Sequence, residues 1–164
     1  MSDYVPPRVP PVDHVGVEER AARLSRRSIK KASKVAGLHV IANMIDLTTL
    51  EGMDTPEKVR QLCRKGINPL EHGDCPSVAA VCVYPRMVNI ARSELEGTDV
   101  KLASVATYFP SGQTIDDDRL DDVRRAVDDG ADEIDMVINR GAFLAGEYNL
   151  IFDEVAATKA ACDH

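Results

Sequence analysis

Apolar residues along most of this chain fall in short continuous runs, and each run is followed by a segment with apolar residues every three or four positions. The runs predict strands over residues 38–47, 78–84, 100–109 and 132–139. The amphipathic segments predict helices over 55–66, about 86–96, 115–130 and somewhere within 145–161. Apolar strands alternating with helices indicate a parallel sheet covered by helices, so the predicted fold class is α/β.

Helix boundaries are marked by capping residues in the same pattern. Thr55 is the expected N-cap of the first of these helices, with Pro56 in the first helical position and Gly66 as its stop. In the third, the apolar side is expected to consist of Ile115, Leu120, Val123 and Val127.

The N-terminal region has a different character. Residues 1–15 are rich in proline and predict an extended tail. Residues 17–37 predict a basic helix that ends near Gly37 and docks on the rest of the molecule, because it lacks the aromatic and Leu face of a membrane-binding helix. The expected organisation is therefore a tail and basic helix over 1–37, followed by one α/β unit over 38–164.

Charge is distributed unevenly along the 164 residues. Residues 1–35 carry eight basic and four acidic side chains, whereas residues 36–164 carry 12 and 23, which together give the net charge of −7. A strongly acidic body argues against nucleic acid as a partner. No apolar run is long enough to cross a membrane, and the N-terminus lacks the apolar core of a signal peptide, so we expect a cytoplasmic protein without a membrane partner.

Cysteine and histidine give little indication of a metal site. The four cysteines form no C-x-x-C pair, and reduced thiols are the simplest interpretation. His72, Asp74 and Cys75 are close in sequence, but the Gly and Pro around them predict a solvated loop instead of a zinc site.

Polar residues gather where the predicted strands end. Ligands and catalytic groups of parallel α/β folds lie at this edge, because the loops from strand to helix open there. The residues concerned are Asp46, Thr48 and Thr49, then Cys82 and Tyr84, then Thr107 and Phe109, and last Asp135 and Asn139. Strands that turn polar as they reach a loop explain Thr107 and Asn139 well, but they explain the two aspartates poorly.

Asp135 lies inside the last predicted strand, between Ile134 and Met136. Alternation along a strand places Asp135, Val137 and Asn139 on the opposite face from Ile134, Met136 and Ile138. Burying an unpaired carboxylate costs folding free energy, so we expect a cation near Asp135. The same reasoning applies to Asp46. The lysines (30, 31, 34, 58, 65, 101 and 159) lie on predicted helices or at a strand's start, and only Arg86 and Arg140 follow strands closely.

Four strand and helix units in 127 residues amount to half of a (β/α)₈ barrel, which needs about 250 residues. Neither a dinucleotide-binding nor a P-loop glycine motif follows any strand.

Four segments, IDLTTLEGMDTPEKVRQLC, AAVCVYPRMV, LASVATYFPSGQT and GADEIDMVINRGAFLAG, resemble in order and spacing the first half of the 2-deoxy-D-ribose-5-phosphate aldolase family. The resemblance implies a (β/α)₈ barrel of the TIM type, with about the first four units present here. It also implies a class I aldolase that splits deoxyribose 5-phosphate into acetaldehyde and glyceraldehyde 3-phosphate, without metal or cofactor, through a lysine Schiff base. By the same resemblance Asp135 belongs to the proton relay and Asp46 lies near the lysine pair, while the pocket is lined by Thr48, Leu50, Cys82 and Phe109.

The chain departs from that family in one respect. The family's two active-site lysines lie on later strands, in K-T-S-T-G and G-F-K-P-A-G-G stretches, and no lysine here matches either. We therefore expect a chain that is inactive alone and acts on a small phosphorylated sugar with a complementing C-terminal half or as a homo-oligomer. Two alternatives remain open: a metal-dependent enzyme that uses Asp46 and Asp135, and a non-catalytic half-barrel that serves as an assembly module.

Overall fold

A four-stranded parallel sheet with strand order β1-β2-β3-β4 organises the chain. The structure, a computed structural model, describes residues 4–71, 73–114 and 116–162. The strands are β1 (Asp46–Thr48), β2 (Ala80–Val83), β3 (Lys101–Ala106) and β4 (Glu133–Met136). The helices are α1 (His14–Ser25), α2 (Lys31–Ala42), α3 (Pro56–Ile67), α4 (Val88–Leu95), α5 (Asp116–Asp128), α6 (Arg140–Leu144) and α7 (Tyr148–Cys162), with a 3₁₀ turn at Pro85–Met87.

The main core lies between the sheet and two of its helices. Val81 and Val83 of β2 and Leu102 of β3 are fully buried against α3 and α4. They pack there with Val59, Cys63, Val78, Val88, Ala91, Leu95 and Val100. A second cluster joins Ala106 of β3 to Val123 of α5 and Ala161 of α7. Each strand therefore buries alternate residues under helices and leaves the others for the opposite face.

The middle of the sequence folds as its pattern predicts. Thr55 caps α3 by accepting a hydrogen bond from Lys58 N–H at 3.3 Å, and Pro56 takes the first helical position. Gly97, with φ of +76°, follows α4. In α5, Val123 is buried and Leu120 and Val127 pack beside it, while Ile115 and His72 lie outside the described residues.

The prediction for Gly66 was wrong. Helix α3 continues to Ile67, so Gly66 lies inside it and is buried. A Cβ at this position would lie 2.9 Å from Val81 Cγ2 and 3.1 Å from Val78 Cγ2. Glycine is needed here so that the helix can approach β2 closely, and it does not end the helix.

The N-terminal prediction also needs correction. Two helices replace the single expected one, and α2 runs through Gly37 to Ala42. The strand predicted over 38–47 shrinks to Asp46–Thr48, because a short apolar run such as Leu38–Ala42 suits a helix as well as a strand. Neither α1 nor α2 contains a buried residue, so the predicted docking of the basic helix buries none of its side chains fully.

The C-terminal strand is shorter and more open than its sequence indicates. β4 covers four of the eight predicted residues, and exposed and half-buried positions alternate along it. It pairs on one side with β3 and forms the edge of the sheet. The single helix expected within 145–161 is present as α7, preceded by the separate short α6.

Replacing Gly66 by Ala tests the close approach of α3 to β2. Crowding in a packed core costs roughly 1–3 kcal/mol, and Ala regains about 1 kcal/mol of helix propensity, so we expect a net loss of about 1 kcal/mol in the free energy of unfolding. Urea unfolding measures it. Gly37→Ala is the matched control, because among the described residues no atom beyond its own helix backbone and chain neighbours lies within 4 Å of its Cβ position, and the change should be neutral or stabilising. A Gly66→Ala variant as stable as Gly37→Ala would contradict the packing argument.

Candidate functional site

The sheet face opposite the helix-packed core carries the polar strand residues. Residues in register across parallel strands lie side by side on one face. The face opposite the helix-packed core is termed the inner face. It is formed by Asp46 and Thr48 of β1, Ala80 and Cys82 of β2, Lys101, Ala103 and Val105 of β3, and Glu133 and Asp135 of β4. Three of its four charged side chains are carboxylates. The face therefore has acidic groups but little positive charge to balance them.

Cys82 and Asp135 are in contact at the centre of the inner face. The Cys82 thiol donates a hydrogen bond to Asp135 Oδ2 across 3.4 Å. Burial of Cys82 raises the pKa of its thiol to about 12, and the Asp135 charge, the hydrogen bond to Asp135 and the Asp46 charge act in the same direction. A hydrogen bond with Thr48 opposes them. Cys82 therefore stays a neutral thiol near pH 7 and acts as a donor instead of a nucleophile.

The prediction that Asp135 is buried was wrong, whereas the expectation that its cationic partner is missing from this chain stays a prediction. Asp135 is exposed, because it lies on an edge strand and its inner-face neighbours are small. No ion pair within the described residues joins Asp135 or Asp46 to a lysine or arginine. Arg140 does reach the rim and donates to Pro110 O at 3.1 Å, whereas Arg86 is exposed beside the loop after β1.

The predicted pocket residues do come together. Leu50 and Phe109 pack with Tyr84 against Ala80, Cys82, Ala103 and Val105, and Thr48 lies in register with Cys82. The rings of Tyr84 and Phe109 meet edge to face with centroids 6.2 Å apart. A cavity of about 180 Å³ opens beside them, lined by Tyr84, Pro85, Val105, Tyr108, Phe109 and Asp122. An apolar wall thus borders the acidic groups at the carboxyl edge of the sheet.

The loop after β1 is held by a carboxylate that the sequence analysis missed. Asp54 accepts hydrogen bonds from Thr49 Oγ1 and Glu51 N–H, both at 3.0 Å, and pairs with Lys58 Nζ at 2.5 Å. Burial by itself would raise the pKa of Asp54, but the hydrogen bonds from Lys58, Glu51 and Thr49 and the Lys58 charge hold it below its usual value. The sequence signal was an Asp immediately before the Thr55 N-cap.

A second missed group lies where β3 and β4 end. Arg119 of α5 is buried and paired with Glu154 of α7 at 3.5 Å. Arg119 donates to Gly112 O at 2.5 Å and to Val137 O at 2.8 Å, which links the two strand-end loops. Helix α5 has three arginines among its acidic residues, and nothing local to the sequence distinguishes Arg119 from Arg124 and Arg125.

Two classes of site find no support in the described residues. Residues 4–71, 73–114 and 116–162 contain no group of three or more His, Cys, Asp or Glu side chains placed to hold a metal ion. Asp74 is exposed and Cys75 is half-buried, and their sequence neighbour His72 is outside those ranges. Within the same ranges, no helix has the length and apolar character needed to cross a bilayer.

Comparison with known families decides the relationship. Residues 40–164 match the model of the DeoC/LacD family aldolases. The chain belongs to this family. Human deoxyribose-phosphate aldolase is 40% identical over 163 aligned residues, and the mouse enzyme is 42% identical. Each alignment covers 92% of this chain but 51% of the relative, so the chain spans about half the length of these curated relatives.

Solved structures of the family agree with the fold. A candidate deoxyribose-phosphate aldolase from Coccidioides immitis superimposes with a TM-score of 0.67 at 30% identity. The overlap covers 76% of this chain and 46% of that one. The predicted fold class is therefore confirmed: the four β/α units match about half of a (β/α)₈ barrel of this family. In that setting the inner face corresponds to the barrel interior, which explains why it carries polar groups at its carboxyl edge.

Replacing Asp135 by Asn should lower the pKa of the Cys82 thiol from about 12, because the charge of Asp135 disfavours the thiolate. The pH dependence of Cys82 alkylation, followed by peptide mass spectrometry, measures the shift. Glu133→Gln removes a carboxylate from the same face of β4 that is not among the groups acting on the Cys82 thiol, so it should change the profile less. Identical profiles for the two variants would show that Asp135 does not act on the thiol.

Asp54 should stabilise the fold in a pH-dependent way. Its pKa is lowered by folding, so this stabilisation is complete above the unfolded value of about 3.9 and is lost as pH falls through the lower folded value. Asp54→Asn should therefore be less stable than wild type at pH 7, and the difference should narrow below about pH 4. Urea unfolding at both pH values tests this. Asp121→Asn, which breaks an exposed pair with Arg124, is the control, and an unchanged Asp54 difference at acid pH would refute the argument.

Proposed function

We propose that this chain supplies the acidic half of a deoxyribose-phosphate aldolase site. The observation that carries the proposal is the inner face, where Asp46, Cys82 and Asp135 meet beside an apolar wall at the carboxyl edge of a parallel sheet. The family match and the 40% identity to the human aldolase give the class of reaction. The substrate would be 2-deoxy-D-ribose 5-phosphate, and the products glyceraldehyde 3-phosphate and acetaldehyde.

The chemistry of this cleavage explains what the acidic half contributes. A lysine amine condenses with C1 of the sugar, and the resulting iminium accepts electrons as the bond between C2 and C3 breaks. The C3 hydroxyl loses a proton in this step, and C2 gains one before acetaldehyde leaves. Asp135 is exposed on the inner face and suited to pass these protons through water, since an ionised carboxylate accepts and its acid donates.

The groups absent from the inner face define what must be supplied by other residues. Its one cation, Lys101, lies at the amino end of β3 and in register with Ala80, away from Asp135. A Schiff-base lysine, the lysine that activates it and the cationic phosphate site would therefore come from a complementing C-terminal half. Among the described residues, β1 and β4 each pair with a strand on one side only, so both edges of the sheet can accept a further strand. We propose this arrangement for a cytoplasmic enzyme that acts on a small phosphorylated sugar.

Exposed apolar side chains fit a partner at those edges. Val35, Leu38 and Ile41 of α2 are each more than half exposed, and Leu144 is 84% exposed after β4. Such surface is costly in water, and a further set of β/α units, from a complementing half or a second copy, would cover it.

The proposal is tested by trapping the Schiff base. Borohydride reduction of the 164-residue chain with deoxyribose 5-phosphate should give no covalent adduct, because no lysine among the described residues forms an ion pair with Asp46 or Asp135. The same chain co-expressed with the C-terminal half of the human relative should form an adduct on the added half and cleave the substrate. Asp135→Asn in that assembly should lower kcat by about 10²–10⁴-fold, as for loss of a general acid or base. An adduct on the isolated chain would overturn the proposal.

A further inference from the structure

Three side chains converge on the backbone of residues 137–139, which follow Asp135 and Met136. Segment 137–139 continues β4 beyond its last ladder residue and leads into α6. Its described side-chain hydrogen bonds are with Thr107, which directly follows β3, and with residues of α5 and α7. The contacts come from Thr107, Arg119 and Glu154, while the Asn139 side chain caps α6 by accepting from Ala142 N–H.

Thr107 forms the first of these contacts. Its hydroxyl accepts from Val137 N–H at 2.7 Å and lies 2.9 Å from Val137 O, within donating distance. Thr107 is fully buried and has φ of +59°, a left-handed conformation that is unfavourable for a β-branched residue. Such strain persists only where the surroundings over-determine the backbone.

Arg119 and Glu154 form the second contact. The guanidinium joins the loop after β3, through Gly112 O, to the loop after β4, through Val137 O. Glu154 Oε2 pairs with Arg119 and also accepts from Asn139 N–H at 3.1 Å. Both side chains are more than nine-tenths buried. The loop after β3 also carries Phe109 of the apolar wall, so one ion pair ties that wall to the strand of Asp135.

Close packing leaves these loops little alternative geometry. Gly112 has φ of +69°, and a Cβ there would lie 2.6 Å from Ile138 O. A planar guanidinium with several donors can bridge two carbonyls and a carboxylate at once, whereas an ammonium acts as a point charge. The bridge therefore depends on the shape of Arg119 as well as its charge.

We propose that the buried Arg119 and Glu154 pair is a positioning device that fixes the Asp135 carboxylate and the Phe109 wall relative to each other. The inference rests on the proposed function for its catalytic meaning, because it assigns the pair to the site that contains Asp135. Neither side chain touches the reacting groups, so both are positioning residues. Substitutions of Arg119 or Glu154 should therefore displace the Asp135 carboxylate without removing it.

Cys82 provides a local readout of Asp135 in the chain as it exists. The groups that face its thiol are Asp135 of β4 and Asp46 and Thr48 of β1. Movement of Asp135 therefore changes the pH profile of Cys82 alkylation. Cys63 lies in the core on the other sheet face and reports general loosening. Both thiols are measured in a Cys75→Ser and Cys162→Ser background, which leaves these two cysteines.

Arg119→Lys keeps a charge beside Glu154 but cannot make both carbonyl bonds. In this variant we expect the pH profile of Cys82 alkylation to shift by about 0.5 pH units or more and that of Cys63 to stay unchanged. The amides of Val137 and Asn139 should exchange with solvent about tenfold faster. The double variant Arg119→Gln with Glu154→Gln removes both charges together, avoids an unpaired buried carboxylate and should give the same local shift. Urea unfolding verifies that each variant is folded.

Arg124→Gln is the matched control, because it removes an exposed arginine and its pair with Asp121 from the same helix. It should leave unchanged the alkylation profiles of both thiols and the exchange rates of the amides of Val137 and Asn139. The proposal is overturned if folded Arg119→Lys keeps the wild-type Cys82 profile and Asn139 exchange, or if Cys63 shifts as much as Cys82. Neither readout involves aldolase activity, so failure of the complementation experiment would refute the proposed function without altering these outcomes.

Discussion

Parallel pairing of β2 with β3 is the constraint on which the rest of the molecule depends. Val81 and Leu102 pair in register and lie under α3 and α4, so their neighbours Cys82 and Ala103 must lie on the opposite face. A slip of one residue would exchange these two faces and place Cys82 in the helix-packed core. The inner face, with its carboxylates and apolar wall, therefore follows from how the core is buried.

The inner face carries more negative than positive charge. Asp46, Glu133 and Asp135 face a region in which the described strands offer Lys101 alone. The exposure of Asp135 keeps the cost of this imbalance low, because solvent screens an exposed carboxylate. A partner that brought cations to this face would find its acidic groups already in place, together with a neutral thiol that donates to one of them.

Buried charge lies behind the site and not within it. Arg119 and Glu154 are shielded from water and satisfied by backbone groups of both strand-end loops. A charged pair in such a place is rigid, since removing either partner leaves the other unpaired in a low-dielectric region. The loop after β1 is held in a comparable way by Asp54 and its three donors. Interlocked loops of this kind give the carboxyl edge a defined shape.

The sequence by itself determined the α/β class, the four strands in order, the N-cap of α3 and the polar residues Asp46, Cys82 and Asp135 at the strand ends. These follow from local periodicity and capping, which need no knowledge of distant residues. Tertiary structure alone decided that α2 continues through Gly37, that Gly66 is a contact with β2, and that Asp135 is exposed beside Cys82. It also decided the bridge made by Arg119, because its partners Gly112, Val137 and Glu154 come from three different segments. Burial and long-range hydrogen bonds depend on which segments pack together, and no local pattern in the chain records that.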